Sequence, residues 1–285
     1  MDQIIQTVCV CGAGTMGSGI AQIAAQSGFY TILYDVNDEM VGKAEQGMQA
    51  TLQQLTEKHK ITTQDKADTL SRLRFTHDMN DCLADVVIEA IVEKPGIKTA
   101  LFNQLAEVNH SEVIFATNTS SLSVTDIARQ VMRPERVAGM HFFNPAPVMK
   151  LVEVVTTPYS NNHTIATIVE LARQLGKTPV LCKDAPGFIV NHVARPYYLE
   201  ALKLAEQGIG DFETIDLLLE ATGFKMGPFR LMDLIGNDVN YAVSCSVYEQ
   251  LGSPERLRPS PLQKERVDKQ ELGRKTKKGY YNYNS

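Results

Sequence analysis

Gly12-Ala13-Gly14-Thr15-Met16-Gly17 follows directly on the apolar run Val8-Cys9-Val10-Cys11. Glycines between a strand and a helix start suit a phosphate cradle. Gly12 would make the tight turn, and Gly14 would let backbone approach a pyrophosphate. Gly17 would let helix and strand pack closely, with Thr15 and Met16 opening a helix whose N-terminus faces the anion. Taken alone, the pattern also fits a structural glycine turn. Asp35 ends the next β-rich run, where a carboxylate accepts hydrogen bonds from ribose hydroxyls and repels a 2′-phosphate. Val36 and Asn37 after it offer no arginine to neutralise that phosphate, so the motif favours NAD over NADP.

A second group is suited to proton transfer. His141 stands where a β-run meets a proline-rich stretch, and Glu153 lies on the apolar run that follows. A carboxylate on one imidazole nitrogen sets the tautomer, raises basicity and stabilises the imidazolium. Such a histidine takes the hydroxyl proton when an alcohol is oxidised with NAD. By residue type alone, a single histidine at a strand end also serves as a structural one. Ser120 falls just past the run 113–116, on the edge where open α/β sheets hold ligands; a helix cap or turn is its alternative role.

These residues need a scaffold, and the chain supplies a regular alternation. Runs 8–11, 31–34, 85–90, 113–116, 136–140, 151–155 and 179–181 read as strands. Helical spacing covers 16–27, 37–58, a shorter stretch after Thr62, 95–108, 123–130 and 162–175. The expectation is an α/β fold: an N-terminal Rossmann-like, doubly wound parallel sheet over 1–184. Past Asp184-Ala185-Pro186-Gly187 the pattern turns helical, over 187–208, 212–223 and 231–251, giving an all-α C-terminal domain over 185–285.

The 285 residues, 44% of them hydrophobic, suffice for two cores. With 28 basic against 33 acidic side chains the net charge is -5, which argues against a broad nucleic-acid or membrane-surface footprint. No basic residue precedes Lys43 and no apolar run approaches a membrane span, so a cytoplasmic protein is expected. Five scattered cysteines and no His/Cys cluster point to reduced thiols and no metal.

The segment His141-Phe142-Phe143-Asn144-Pro145-Ala146-Pro147-Val148-Met149-Lys150-Leu151-Val152-Glu153-Val154 carries a resemblance. With Asn118-Thr119-Ser120-Ser121-Leu122 before it and Pro186-Gly187-Phe188-Ile189-Val190-Asn191 after it, the chain resembles 3-hydroxyacyl-CoA dehydrogenases. The short-chain bacterial 3-hydroxybutyryl-CoA type is the nearest group. Met226-Gly227-Pro228-Phe229 and Gly273-Arg274-Lys275-Thr276 through Gly279-Tyr280-Tyr281 extend the match over the second domain.

The resemblance implies NAD-dependent interconversion of L-3-hydroxyacyl-CoA and 3-oxoacyl-CoA in a cleft between the domains. His141 would be the general base and acid, oriented by Glu153, with Ser120 and Asn191 bonding the substrate oxygen. It implies NAD contacts from Asn144, Glu93, Lys98 and Lys275, CoA contacts from Thr51 and Lys58, and a homodimer built on the helical domain. Four residues depart from the family pattern: His59 and Lys277 stand where glycine is usual, His192 where arginine is, and Arg230 where an acid is. The tract 226–240 looks like phenylacetate-pathway members acting on 3-hydroxyadipyl-CoA, and Arg230 is then nominated for the terminal carboxylate of that substrate. Two competing readings are a β-hydroxyacid dehydrogenase on a free acid, with Lys203 or Lys225 as its catalytic lysine, and a non-catalytic NAD-binding structural protein.

Overall fold

The computed structural model describes residues 5–283, which divide into two compact units, the first ending at Asp184 and the second beginning at Ala185. In the first unit, Thr7–Cys11 (β1) leads into Thr15–Gln26 (α1), and Tyr30–Tyr34 (β2) into Asp38–Glu57 (α2). Thr63–Ser71 (α3), Leu73–Thr76 (β3), Val86–Glu89 (β4) and Pro95–Val108 (α4) follow. Ile114–Thr117 (β5), Val124–Ala128 (α5), Val137–Phe142 (β6), Leu151–Thr156 (β7), Asn162–Gln174 (α6) and Thr178–Lys183 (β8) complete it.

The eight strands form one sheet in the order β3-β2-β1-β4-β5-β6-β7-β8. From β3 to β6 all neighbours are parallel, and the strand order reverses at β1, between β2 and β4. Central strands are covered on both faces, which is why Val8-Cys9-Val10-Cys11 is continuously apolar and wholly buried. Each such valine contributes roughly 1.5–3 kcal/mol relative to exposure.

The sheet is not parallel throughout. β7 runs antiparallel to β6, and β8 runs parallel to β7. Only residues 143–150 join β6 to β7, too few for the helical crossover that a parallel step requires. The sequence reading also passed over β3, a four-residue edge strand of alternating burial, Leu-Arg-Phe-Thr.

Helix α2 starts where Asn37 accepts from the backbone N–H groups of Glu39 and Met40, and Asp38 and Glu39 complement its dipole. Two residues past its end, His59 has φ +53°; Lys277 in the second unit has φ +60°. Both departures from a family glycine therefore occupy left-handed positions, at a cost of roughly 1–2 kcal/mol each for a side chain bearing Cβ.

The second unit is helical: Val190–Glu206 (α7), Phe212–Ala221 (α8), Pro228–Ile235 (α9), Asn237–Gln250 (α10) and Pro261–Asp268 (α11). The stretch 231–251 expected as one helix is broken at Gly236, whose φ of +107° no helix accommodates. Tyr198, Leu199, Leu202, Ile215, Phe229 and Met232 form its core. Asp233, buried beneath, fixes the chain end by accepting from the N–H groups of Tyr280 and Tyr281 and the hydroxyl of Tyr283, each at 3.0 Å. Among the described residues no helix is long and apolar enough to cross a membrane. No group of three or more His, Cys, Asp or Glu there is placed to hold a metal ion.

Candidate active site

Parallel strands deliver their carboxyl ends to one edge of the sheet, and the chemistry-bearing residues gather there. Gly12 turns the chain after β1 with φ +110°; a Cβ on it would meet the Ala90 carbonyl oxygen at 2.5 Å. A Cβ on Gly17 would come within 1.7 Å of the Gly12 carbonyl oxygen, so helix and turn touch backbone to backbone. Gly14 differs, for a Cβ there meets nothing within 4 Å. The chain itself leaves that direction open.

The Asp35 carboxylate is oriented by two backbone donors, Ala13 N–H at 2.8 Å and Asn37 N–H at 3.0 Å. A cavity of about 660 Å³ opens beside it, lined by Gly12, Gly14, Asp35, Met40, Ile91 and Leu101 among others. No side chain caps α1 and its first turn carries no acid, which leaves its N–H groups and partial positive charge for an anion. An apolar pocket for a flat base, a carboxylate for ribose hydroxyls and an uncapped helix start fit a dinucleotide. A larger groove, about 1000 Å³, lies along α6, β7 and β8 and contains none of the expected site residues.

His141 and Glu153 are direct cross-strand partners on β6 and β7. The His141 Nδ1 and Glu153 Oε2 atoms are 2.8 Å apart, with the residues 5% and 1% exposed. A carboxylate accepts only, so Nδ1 carries the proton and donates, which makes Nε2 the basic nitrogen. The Phe143 ring lies tilted against the imidazole, centroids 4.6 Å apart. The connecting loop is held in place too. Lys177 donates to the carbonyls of Ala146 and Met149, and Gly19 of α1 abuts Pro147. Asn144, in this loop, is exposed.

Ser120 follows β5, half-buried, and its N–H donates to Glu93 Oε1 at 3.0 Å. Asn118 accepts from Phe142 N–H at 2.8 Å, tying the ends of β5 and β6 together. Lys98, to which the resemblance gives an NAD contact, is 1% exposed, its ammonium 2.6 Å from Glu89 and 2.9 Å from Glu93. Sequence reasoning missed Glu89, the acid that ends the apolar strand Val86–Glu89. Burial pushes its carboxyl pKa up, against the opposing pull of Lys98. Burial acts the same way on Glu93, but Lys98 and bonds from Thr119 and Ser120 outweigh it, so Glu93 sits below its ordinary value.

Thr51 and Lys58 are both exposed on α2 and at its end; the Thr51 hydroxyl donates to the Gly47 carbonyl at 2.8 Å. In the second unit, Asn191 lies in the first turn of α7, and Lys275 pairs with Asp238 at 2.6 Å. Arg230 pairs with Glu220 at 3.1 Å and lies over the Tyr281 ring, 5.0 Å from its centroid. These contacts make it a tie within the helical unit, which accounts for the residue without a substrate carboxylate. Lys203 donates to the Arg256 carbonyl at 3.2 Å on an exposed face.

Comparison with known proteins agrees with this geometry. The family model described as 3-hydroxyacyl-CoA dehydrogenase, NAD binding domain, matches residues 7–185, and that family's C-terminal domain matches residues 187–283. The 3-hydroxyadipyl-CoA dehydrogenase of Escherichia coli is 47% identical over 281 residues, covering 98% of this chain. The chain spans only 59% of that protein's length. The mitochondrial hydroxyacyl-coenzyme A dehydrogenase of Rattus norvegicus is 40% identical, over 98% of this chain and 92% of its own length. The crystal structure of (S)-3-hydroxybutyryl-CoA dehydrogenase PaaH1 from Ralstonia eutropha superposes with a TM-score of 0.93 at 38% identity, covering 99% of this chain and 100% of that one. The chain belongs to the 3-hydroxyacyl-CoA dehydrogenase family, with an NAD-binding domain followed by the family's C-terminal domain.

Proposed function

We propose that this chain oxidises the hydroxyl of an L-3-hydroxyacyl-CoA to the 3-oxo thioester, and catalyses the reverse. The observation that carries the reading is the buried His141–Glu153 pair, 2.8 Å apart, in the same unit as the glycine turn and Asp35. NAD, when bound, supplies the hydride acceptor. Asp35 and the start of α1 hold it, with Asn144, Glu93, Lys98 and Lys275 assigned to its contacts. His141 Nε2 takes the hydroxyl proton on oxidation and returns it on reduction. Glu153 stabilises the imidazolium in between. Ser120 and Asn191 are assigned to the substrate oxygen, and Thr51 and Lys58 to CoA. The acyl group is short, 3-hydroxybutyryl, or carries a terminal carboxylate, 3-hydroxyadipyl; similarity to the Escherichia coli protein supports the second.

The same reading makes the protein a cytoplasmic homodimer. Its five cysteines are free, and three of them, Cys9, Cys11 and Cys82, are buried, as suits a reducing compartment. Leu217, Leu218 and Phe224 are 52%, 62% and 51% exposed in the helical unit, an apolar surface a second copy would cover. A monomer in sedimentation equilibrium at micromolar concentration would remove the dimer from the reading.

Turnover assays with NAD test the activity. The two acyl-CoA thioesters should be oxidised, and free 3-hydroxybutyrate should be oxidised far more slowly. NAD should be preferred over NADP by at least about tenfold, because the Asp35 carboxylate repels a 2′-phosphate at close range. Asp35→Ser should narrow that preference through the cofactor KM. Failure to oxidise any hydroxyacyl-CoA would overturn the assignment.

A further inference from the structure

Glu89 has every feature of a constructed position and none of a cofactor contact. It is 0% exposed at the carboxyl end of β4. Its Oε1 accepts from Ile91 N–H at 2.7 Å and from the Lys98 ammonium at 2.6 Å. Its Oε2 accepts from the Thr117 hydroxyl of β5 at 2.7 Å. A carboxylate is kept at such a depth only when paired and fully hydrogen-bonded. Here one ammonium serves two carboxylates, since Lys98 also reaches Glu93 Oε2 at 2.9 Å.

We propose that Glu89 is a positioning residue for the dehydrogenase site, acting through Lys98 and Glu93 on the Ser120 loop. Lys98 satisfied by Glu89 leaves Glu93 Oε1 available for the loop. That oxygen accepts from the Thr119 hydroxyl at 2.7 Å, Ser120 N–H at 3.0 Å and the Ser121 hydroxyl at 3.3 Å. With Glu89 neutralised, the buried ammonium has a single counter-charge, Glu93, whose side chain is 39% exposed and free to be drawn inward. Glu93 would then follow Lys98, and the loop carrying Ser120 would lose its acceptor. The route begins beside the glycine turn, because Ala90, next to Glu89, is what Gly12 packs against.

The inference rests on the dehydrogenase reading, and its first test stands apart from activity. In the cofactor-free protein, Glu89→Gln should speed hydrogen–deuterium exchange in a peptide covering 118–122 by about tenfold. Thr117→Val leaves the charges but removes both a donor to Glu89 and the acceptor of the Thr119 N–H at 3.3 Å; read at 120–122 alone, it should act in the same direction more weakly, and it serves if Glu89→Gln does not fold. Unchanged exchange in both variants overturns the proposal.

The second test is kinetic. Glu89→Gln should lower kcat by about tenfold. In a Ser120→Ala background the same substitution should cost less than about twofold, since the group it positions is already gone. A full loss in that background overturns the route through Ser120. If the unmodified chain oxidises no hydroxyacyl-CoA, the functional assignment fails instead, and the exchange measurement alone decides the role of Glu89.

Discussion

His141→Gln should lower kcat by about a hundredfold or more in both directions, the usual scale for losing a general acid–base. Glu153→Gln should also slow both directions while leaving NADH affinity nearly unchanged, because the carboxylate acts on the imidazole and not on the cofactor. The pair is one unit, joined at 2.8 Å across adjacent strands. The double variant should therefore be little slower than His141→Gln, since an orienting carboxylate has nothing left to orient. Oxidation needs the neutral imidazole and reduction the imidazolium. Multiplicative losses in the double variant would return Glu153 to a purely structural role.

The second large effect separates two roles within the glycine turn. Gly17→Ala places a Cβ 1.7 Å from the Gly12 carbonyl oxygen, and neither atom belongs to a side chain that can rotate away. Helix α1 must move off the turn, at a cost of about 3 kcal/mol or more. The melting temperature should fall by about 5–10 °C, and NADH binding should weaken by more than about tenfold. Gly14→Ala meets no protein atom within 4 Å. Its melting temperature should stay within about 2 °C of the parent, while NADH affinity should still fall by about tenfold, because the added methyl occupies the approach to the pyrophosphate. Undiminished NADH binding by Gly14→Ala would move the phosphates away from Gly14. A fully stable Gly17→Ala would show that helix and turn separate at little cost.

The strongly buried parts of the fold were legible because burial on both faces leaves continuous apolar runs, as in Val8-Cys9-Val10-Cys11. Leu73–Thr76 escaped notice because an edge strand of four residues, half of them polar, has too little pattern to stand out. The break at Gly236 was hidden in a sequence whose helical spacing continues on either side of it. Gly12 and Gly17 stood out because their spacing anticipates the close backbone contact between turn and helix, and His141 and Glu153 because they fall on consecutive strand runs, which the structure pairs at 2.8 Å. Nothing local to Lys98 shows that Glu89, on another element, meets its ammonium in the interior. Pairing across elements is a property of the sheet, not of any window of the chain.

The antiparallel step between β6 and β7 has a consequence for which changes in chain length the His141–Glu153 pair can survive. His141 faces Glu153 because Gly139↔Val155, Met140↔Val154 and Phe142↔Val152 are paired around them. A residue added or removed within 143–150 changes only the arc joining two strands already in register. It would disturb the loop's hold on Lys177 and α1, yet leave the imidazole opposite its carboxylate. One residue deleted from Leu151–Val152 is a different event: if β7 slips to compensate, every side chain on it turns to the other face of the sheet. Glu153 would leave His141, and an apolar neighbour would take its place against the ring. Insertions and deletions in relatives of this chain should therefore collect in the arc and be absent from the six residues of β7.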